Sequence, residues 1–180
     1  MVINSTINSF KSNLLVKTLI LFFITLFFIG CSIGDKNNPN KKTLATNLNW
    51  TAFEENKICY LVSFPIKSVG SYQERNLYYT MIVFNKKQVK SPSQIIVFAG
   101  KNYKENSQII LNLDDIKYYL QNNISKAKIN NKIEAEKIFT NMLKFKYYVV
   151  YQSFEDSSAE DTYSLDGLKE SYNILNQKCK

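Results

Sequence analysis

Residues 57–64 have the sequence KICYLVSF, a run rich in strand-forming residues that stops at Pro65. β-Branched and aromatic side chains favour extended strands, and a proline cannot donate to a strand ladder. Residues 77–84, LYYTMIVF, form a second long run of the same kind. Together the two runs predict that the centre of the fold is a β-sheet.

Further strand-like segments lie on either side of these two runs and are separated mainly by short turns. Their expected ranges are 50–53, 94–99, 107–113, 116–120, 144–154 and 161–165. Strands that follow one another with few intervening helices favour an antiparallel sandwich over a parallel sheet. The predicted fold class is therefore mainly β, an antiparallel β-sandwich with two short helices, one of them C-terminal.

The two helices are expected after residue 131 and at the C-terminus. Asn131 is placed to cap the first, whose apolar positions are Ile133, Ala135, Ile138 and Met142. Ser164 is expected to cap the second, with Asp166 in its first turn and Lys178 in its last, where each charge suits the helix dipole. The apolar positions of this last helix are Leu165, Leu168, Tyr172, Leu175 and Cys179.

The amino terminus has the features of an export signal. Lys11 and Lys17 precede an apolar run over residues 19–29, and Gly30 and Cys31 follow it. A basic segment, a short apolar segment and a small residue at the cut are typical of a signal peptide. A cysteine directly after the small residue is typical of a bacterial lipoprotein. We therefore expect residues 1–30 to be a lipoprotein signal peptide and Cys31 to carry lipid.

The alternative is an uncleaved membrane anchor, although residues 14–29 are short for a span of ~20 apolar residues. Both interpretations place the rest of the chain in the cell envelope, attached to a membrane. Ser32, rather than an aspartate, follows the cysteine and favours the outer membrane over the inner. Residues 31–46 are polar and are predicted to be a disordered tether, and residues 47–180 are predicted to be the folded domain.

Cysteine usage agrees with export. If Cys31 carries lipid, Cys59 and Cys179 remain as an even pair in an oxidising compartment, where a disulfide is expected. Two free buried thiols are the alternative.

The chain contains no histidine, which removes Ser-His-Asp and Cys-His catalysis and histidine-based zinc sites. The net charge of +8 suits anionic partners at an envelope, and the sequence has no nucleic-acid-binding motif. We therefore expect a non-catalytic protein without cofactor or metal.

Several of these residues occur in an order that resembles the invasion-associated locus B family of exported alpha-proteobacterial proteins. They are Trp50, residues 57–60 (KICY), residues 63–65 (SFP), Arg75, Tyr78, residues 161–168 (DTYSLDGL) and Cys179. The resemblance implies an immunoglobulin-like sandwich with a Cys59–Cys179 pair. It also implies an envelope role in host-cell interaction or invasion, and it supplies no catalytic residues.

The chain departs from the family pattern before residue 161. Residues 155–161 hold four carboxylates, where relatives carry a small turn with Arg and Gly. This segment is expected to be a solvated acidic loop. Ca²⁺ binding by Glu155, Asp156, Glu160 and Asp161 is the less favoured alternative.

Four residues are candidates for a binding site: Arg75, Tyr78, Asp161 and Tyr163. Arg75 is the only arginine, and its planar fork suits either Asp161 or an acidic ligand. Outward-facing tyrosines from the pairs 78–79, 118–119 and 147–148 are a further candidate surface, although cross-strand pairing on a solvated face is the more common role of such rings. The expected partner is an envelope or host protein or glycan. The alternatives are a periplasmic maintenance factor and a glycan hydrolase that uses Glu155 and Asp161.

Overall fold

The computed structural model describes residues 40–56, 58–70 and 75–179. The predicted signal peptide (1–30), the predicted lipidation site Cys31 and residues 32–39 of the predicted tether lie outside the described residues. The strands are β1 Lys41–Asn47, β2 Trp50–Glu55, β3 Ile58–Ser63, β4 Lys67–Gly70, β5 Tyr79–Asn85, β6 Gln94–Phe98, β7 Ile109–Leu113, β8 Ile116–Asn123, β9 Lys126–Ile129, β10 Tyr147–Ser153 and β11 Ser158–Ser164. The helices are α1 Lys132–Met142 and α2 Leu168–Lys178.

The strands form one antiparallel sheet in the order β1-β2-β3-β5-β6-β9-β8-β7-β10-β11-β4. Strand β8 divides the sheet, because residues 116–120 pair with β7 whereas residues 121–123 pair with β9. We call β1-β2-β3-β5-β6-β9 half-sheet A and β8-β7-β10-β11-β4 half-sheet B.

The two half-sheets pack face to face around one core. The indole of Trp50 in half-sheet A donates a buried hydrogen bond of 2.9 Å to the carbonyl of Ser164 in half-sheet B. Most of the buried apolar side chains of both half-sheets belong to a single cluster. This arrangement confirms the predicted mainly β, antiparallel, sandwich-like fold with two short helices. Its description as immunoglobulin-like rests on the family resemblance alone.

Three strands were not expected from the sequence, and one of them corrects a domain boundary. Residues 41–46 were assigned to the disordered tether, but Lys41–Asn47 forms β1 and pairs with β2. The segment is polar because β1 is an edge strand in which Leu44 is the one buried residue and the other six are exposed or half-buried. Strands β4 and β9 have four residues each, too short for a period-two pattern to identify them.

Helix α1 begins as predicted. The Asn131 side chain accepts hydrogen bonds from the backbone N–H groups of Ile133 and Glu134, which satisfies two otherwise unpaired donors. Ile133 was expected on the buried face, but its side chain is 80% exposed. The buried positions of the helix are Ala135, Ile138, Phe139 and Met142.

Helix α2 begins later than the sequence predicted. Ser164 is the last residue of β11, and the N-cap is Gly167, with a φ of 87°. A Cβ at this glycine would lie 2.1 Å from the carbonyl oxygen of Asn47, so the close approach of β1 requires glycine here. The predicted caps are therefore wrong: Ser164 instead accepts from the Asp166 N–H, and Asp166 precedes the helix.

The disulfide between Cys59 and Cys179 is present, which confirms the predicted pair. It joins β3 to the residue that ends α2, with the two Cα atoms 6.3 Å apart. Helix α2 packs against β1, β2 and β3, so the bond fixes the C-terminus to half-sheet A. Among the described residues, no helix combines the length and the hydropathy that a membrane crossing needs.

Candidate binding surface

The four predicted site residues lie close together, but most of their polar atoms are inside the protein. The Arg75 guanidinium binds the Asp161 carboxylate in a bidentate pair, with Nη1–Oδ1 at 2.9 Å and Nη2–Oδ2 at 2.6 Å. Both side chains are fully buried. The third guanidinium donor, Nε, binds the Ala99 carbonyl at 2.6 Å. The internal pair is therefore the alternative that the geometry supports, and these Arg75 donors are not presented to an acidic ligand.

The remaining contacts complete a buried polar cluster, which we define as Arg75, Asp161, Ser68, Gln152 and Tyr103. Ser68 donates to Asp161 Oδ1 at 2.7 Å, and the Gln152 amide donates to Asp161 Oδ2. The Tyr103 hydroxyl donates to the Gln152 carbonyl oxygen at 2.9 Å. Each oxygen of the buried carboxylate thus has more than one donor, which offsets the cost of removing the charge from water.

The two predicted tyrosines take different positions beside this cluster. Tyr78 is half-buried, and its ring lies 3.9 Å from the guanidinium carbon of Arg75, a cation–π contact. Tyr163 is fully buried and stacks on Tyr148, with ring centroids 4.8 Å apart. Burial raises the pKa of Tyr163 and of Tyr148, so both stay neutral in the folded protein. Tyr163 is therefore a core residue rather than a ligand contact.

The acidic segment 155–161 separates into side chains with different surroundings. The Asp156 carboxylate pairs with the Lys101 ammonium at 2.8 Å, and the Lys101 hydrogen bond is the largest cause that lowers the pKa of Asp156. Glu155 accepts from the backbone N–H of Glu105 at 3.2 Å, whereas Glu160 lies within β11. Among the described residues, no group of three or more His, Cys, Asp or Glu side chains is placed to hold a metal ion.

These positions also bear on the hydrolase alternative. A pair of glycosidase carboxylates must both reach the scissile bond across a cleft. Asp161 has no exposed surface, and both its oxygens bind Arg75, so it does not face a cleft with Glu155. The geometry gives this pair no access to a substrate.

A different surface, on the outer side of half-sheet A, has the form of a binding site. It is a groove of about 350 Å³ that crosses the strands β1, β2, β3 and β5. We call it the aromatic groove. It is lined by Lys41, Thr51, Phe53, Glu55, Ile58, Tyr60, Val62, Phe64, Leu77, Tyr79 and Met81.

The groove exists because the central strands of half-sheet A are apolar on both sides. In β3, Cys59 and Leu61 point into the core, while Tyr60 and Val62 point into the groove. An antiparallel sheet ordinarily keeps one polar face towards water. The apolar runs that predict these strands therefore also contain groove residues. The signal for them is an apolar residue on both faces of the strand, as in the unbroken apolar run 58–62 of β3.

Aromatic rings line the groove and continue beyond it. Phe53 stacks on Tyr60 with centroids 5.3 Å apart, and Tyr79 lies 5.9 Å from Phe64. Tyr79 also stacks on Phe98 of β6 at 4.3 Å. Such pairs fix the ring positions and pre-organise the surface.

The polarity of the groove changes along its length. At one end Lys41 lies opposite Glu55 in the β1–β2 register, and the Lys41 ammonium lies 4.7 Å from the Phe53 ring. The Tyr60 hydroxyl donates to Glu55 at 2.9 Å, and burial followed by this bond raises the pKa of Tyr60. Towards Phe64 the other lining side chains are apolar apart from the hydroxyls of Thr51 and Tyr79. The groove is thus polar at one end and mainly apolar along the rest.

The predicted outward tyrosines lie on two surfaces. In the pairs 118–119 and 147–148 one ring is buried and the other is exposed, as the strand period predicted. The exposed rings, Tyr119 and Tyr147, belong to half-sheet B. The third pair differs, because Tyr78 covers Arg75 and Tyr79 lies in the aromatic groove.

Comparison with known proteins identifies no relative: no family model, no curated protein and no solved structure matches the chain. The resemblance to the invasion-associated locus B family therefore stays a prediction.

Proposed function

We propose that the protein is a lipid-anchored envelope protein with a non-catalytic binding domain, and that the aromatic groove is its binding site. The observation that carries this proposal is an apolar, aromatic-lined groove on the outer side of a sheet whose other side already contains the core. Apolar surface that is not needed for folding ordinarily marks an interaction site. Attachment through Cys31 comes from the sequence and keeps the domain near a membrane.

The lining favours a particular chemical class of ligand. The groove lies on the face of the half-sheet and crosses the inner strands β2, β3 and β5, whose backbone groups are already paired, so an extended peptide in the groove could not add as a strand. A glycan would need polar partners along its whole length, whereas both charged groups of this groove, Lys41 and Glu55, lie at one end and only the Thr51 and Tyr79 hydroxyls lie further along. The groove therefore suits an amphipathic molecule with one aliphatic chain and a polar head.

The expected affinity is modest. A fully buried CH₂ group gains about 0.8 kcal/mol, and an open groove covers roughly one side of a chain, so about 0.4 kcal/mol per CH₂ is expected. A twelve-carbon chain would then gain about 5 kcal/mol, which corresponds to a Kd on the order of 100 μM.

The test is titration of the purified full-length protein with lauric acid below its micelle concentration, followed by calorimetry. Val62→Arg places a charge in the middle of the groove and is expected to weaken binding at least tenfold. Val149→Arg is the matched control, because Val149 is also a half-buried valine on an outer face, in β10 of half-sheet B. Equal affinity of the two variants, or no binding by the unaltered protein, would overturn the proposal.

The location of the domain separates a host-cell role from a periplasmic role. Host interaction, suggested by the family resemblance, requires the domain on the cell surface, whereas an envelope-maintenance role requires it in the periplasm. A membrane-impermeant biotinylation reagent applied to intact cells distinguishes the two, because the domain is rich in lysine. Labelling alongside an unlabelled periplasmic control supports host contact, and protection of both supports the periplasmic alternative.

A further inference from the structure

One end of half-sheet A carries an unusual concentration of exposed apolar side chains. A row of paired residues crosses the half-sheet near this end, in the order Asn47–Trp50–Ser63–Thr80–Val97–Ala127. Just beyond that row, four separate connections each expose at least one large apolar side chain. These side chains are Leu48, Phe64, Ile66, Leu77 and Ile124, each more than half exposed. We call this set the apolar rim.

Two of these residues occupy backbone positions that do not suit them. Four hairpin turns begin with a residue of positive φ. These residues are Leu48 (48°), Asn56 (51°), Asp114 (57°) and Ile124 (51°). Asn and Asp tolerate this left-handed conformation, whereas for a β-branched residue such as isoleucine it is an outlier. The two unsuited residues, Leu48 and Ile124, are the two that belong to the apolar rim.

We infer that the apolar rim inserts into the surface of a lipid bilayer that contains anionic lipids. Exposed apolar side chains beside basic residues are the usual composition of a membrane-surface contact. Lys67 follows Ile66 directly, and Lys126 lies two residues after Ile124; both are exposed. Asp166 lies beside the Leu48 turn, so the positive charge is concentrated towards the Ile66 and Ile124 positions.

The length of chain between Cys31 and β1 is compatible with this contact. Asn40 lies at the opposite end of β1 from Leu48, and β1 has seven residues, about 24 Å in length. From Cys31 to Asn40 the chain can extend at most about 32 Å. If Cys31 carries lipid, as proposed above, the lipid and the apolar rim can therefore occupy the same bilayer.

The experiment places a tryptophan at the rim of the full-length lipidated protein, reconstituted in phosphatidylethanolamine–phosphatidylglycerol vesicles with brominated acyl chains. The native Trp50 is fully buried and gives a constant background. Leu48→Trp is expected to show a blue-shifted emission and strong quenching by the brominated lipids. Asn56→Trp is the matched control, since it occupies the same turn position at the opposite end of half-sheet A, and little quenching is expected there.

A second variant tests the rim as a unit without removing the probe. Ile124→Asn places a residue suited to positive φ, so the melting temperature should stay the same or rise. The same change should reduce the quenching of Leu48→Trp at least about twofold, because it removes another inserted side chain. Equal quenching at residues 48 and 56, or no quenching at either, would overturn the inference. If the emission of Leu48→Trp shifts to the blue without lipid, and the shift grows with protein concentration, the apolar rim contacts a second copy of the chain instead of a bilayer. That result would also overturn the inference.

Discussion

The Arg75–Asp161 pair makes a quantitative prediction about stability. In the Arg75→Met variant, the Asp161 carboxylate remains in the core with only Ser68 and Gln152 as donors. In the Asp161→Leu variant, the Arg75 guanidinium keeps the Ala99 carbonyl as its one present hydrogen-bond acceptor, together with the Tyr78 ring. Removal of one partner from a buried ion pair costs about 3–5 kcal/mol, because the other charge stays unpaired away from water.

The double variant provides the decisive comparison. With both charges absent, the remaining loss is that of the hydrogen bonds from Ser68 and Gln152 to Asp161 and from Arg75 to the Ala99 carbonyl, about 1–3 kcal/mol. The double variant should therefore be more stable than either single variant, even though it carries more changes. Such strong non-additivity is expected only for residues that act on each other directly.

Urea unfolding followed by the fluorescence of Trp50 measures these differences. Trp50 is the only tryptophan and is fully buried, so its emission reports loss of the core. With a slope of roughly 2 kcal/mol per molar urea, each single variant should lower the midpoint by about 2 M. Lys101→Met is the control, because its partner Asp156 is exposed and little change is expected. If the loss in the double variant equals the sum of the single losses, the pair does not stabilise the fold as argued.

Three further predictions concern the disulfide and the buried tyrosines. The Cys59→Ala/Cys179→Ala variant lacks the disulfide that closes a loop of 120 residues. Its free energy of unfolding in urea should fall by about 5 kcal/mol, and an unchanged urea midpoint would contradict a stabilising role of the disulfide. In the described part of the chain, the Tyr148 and Tyr163 hydroxyls lie near the Thr80 hydroxyl, but neither forms a hydrogen bond of normal geometry. Tyr148→Phe and Tyr163→Phe should therefore cost less stability than Tyr103→Phe, which should lose about 1 kcal/mol with its bond to Gln152. Burial raises the pKa of Tyr103, Tyr148 and Tyr163 above the unfolded value of 10.0. Because the unfolded state therefore releases its protons first, the free energy of unfolding should fall as the pH rises above about 10. In a pH titration, the phenolate absorbance of these tyrosines should appear together with unfolding and not before it.

Much of the fold could be predicted because its inner strands carry a strong local signal. Strands β3 and β5 consist mainly of β-branched, aromatic and other apolar residues, so their extended conformation follows from the side chains themselves. Strands β1, β4 and β9 depend instead on the neighbour with which each pairs, and their short or polar sequences carry little of that information. The same distinction explains why the sequence wrongly predicts Ser164 as the N-cap of α2. A serine before an apolar run suits a helix cap, but pairing with Tyr147 keeps it in β11.

The candidate site was less accessible to sequence analysis. The Arg75–Asp161 contact could be anticipated because the chain has one arginine and its guanidinium needs a partner, but its complete burial depends on the fold. The aromatic groove could not be separated from the core by pattern alone. Tyr60 and Val62 alternate with Cys59 and Leu61 in one apolar run, and only the packing of half-sheet B against one side decides which set remains outside.

The two proposed surfaces share Phe64 and Leu77, which line the aromatic groove and also belong to the apolar rim. The apolar end of the groove therefore opens at the rim, while its polar end, at Lys41 and Glu55, lies away from it. If the rim inserts into a bilayer, an acyl chain can enter the groove without crossing water, which lowers the main barrier to the transfer of an aliphatic chain out of a membrane. The variants separate the two steps: Val62→Arg should abolish lauric acid binding while the quenching of Leu48→Trp persists. Loss of both in Val62→Arg would mean instead that the groove and the rim form a single contact with the membrane.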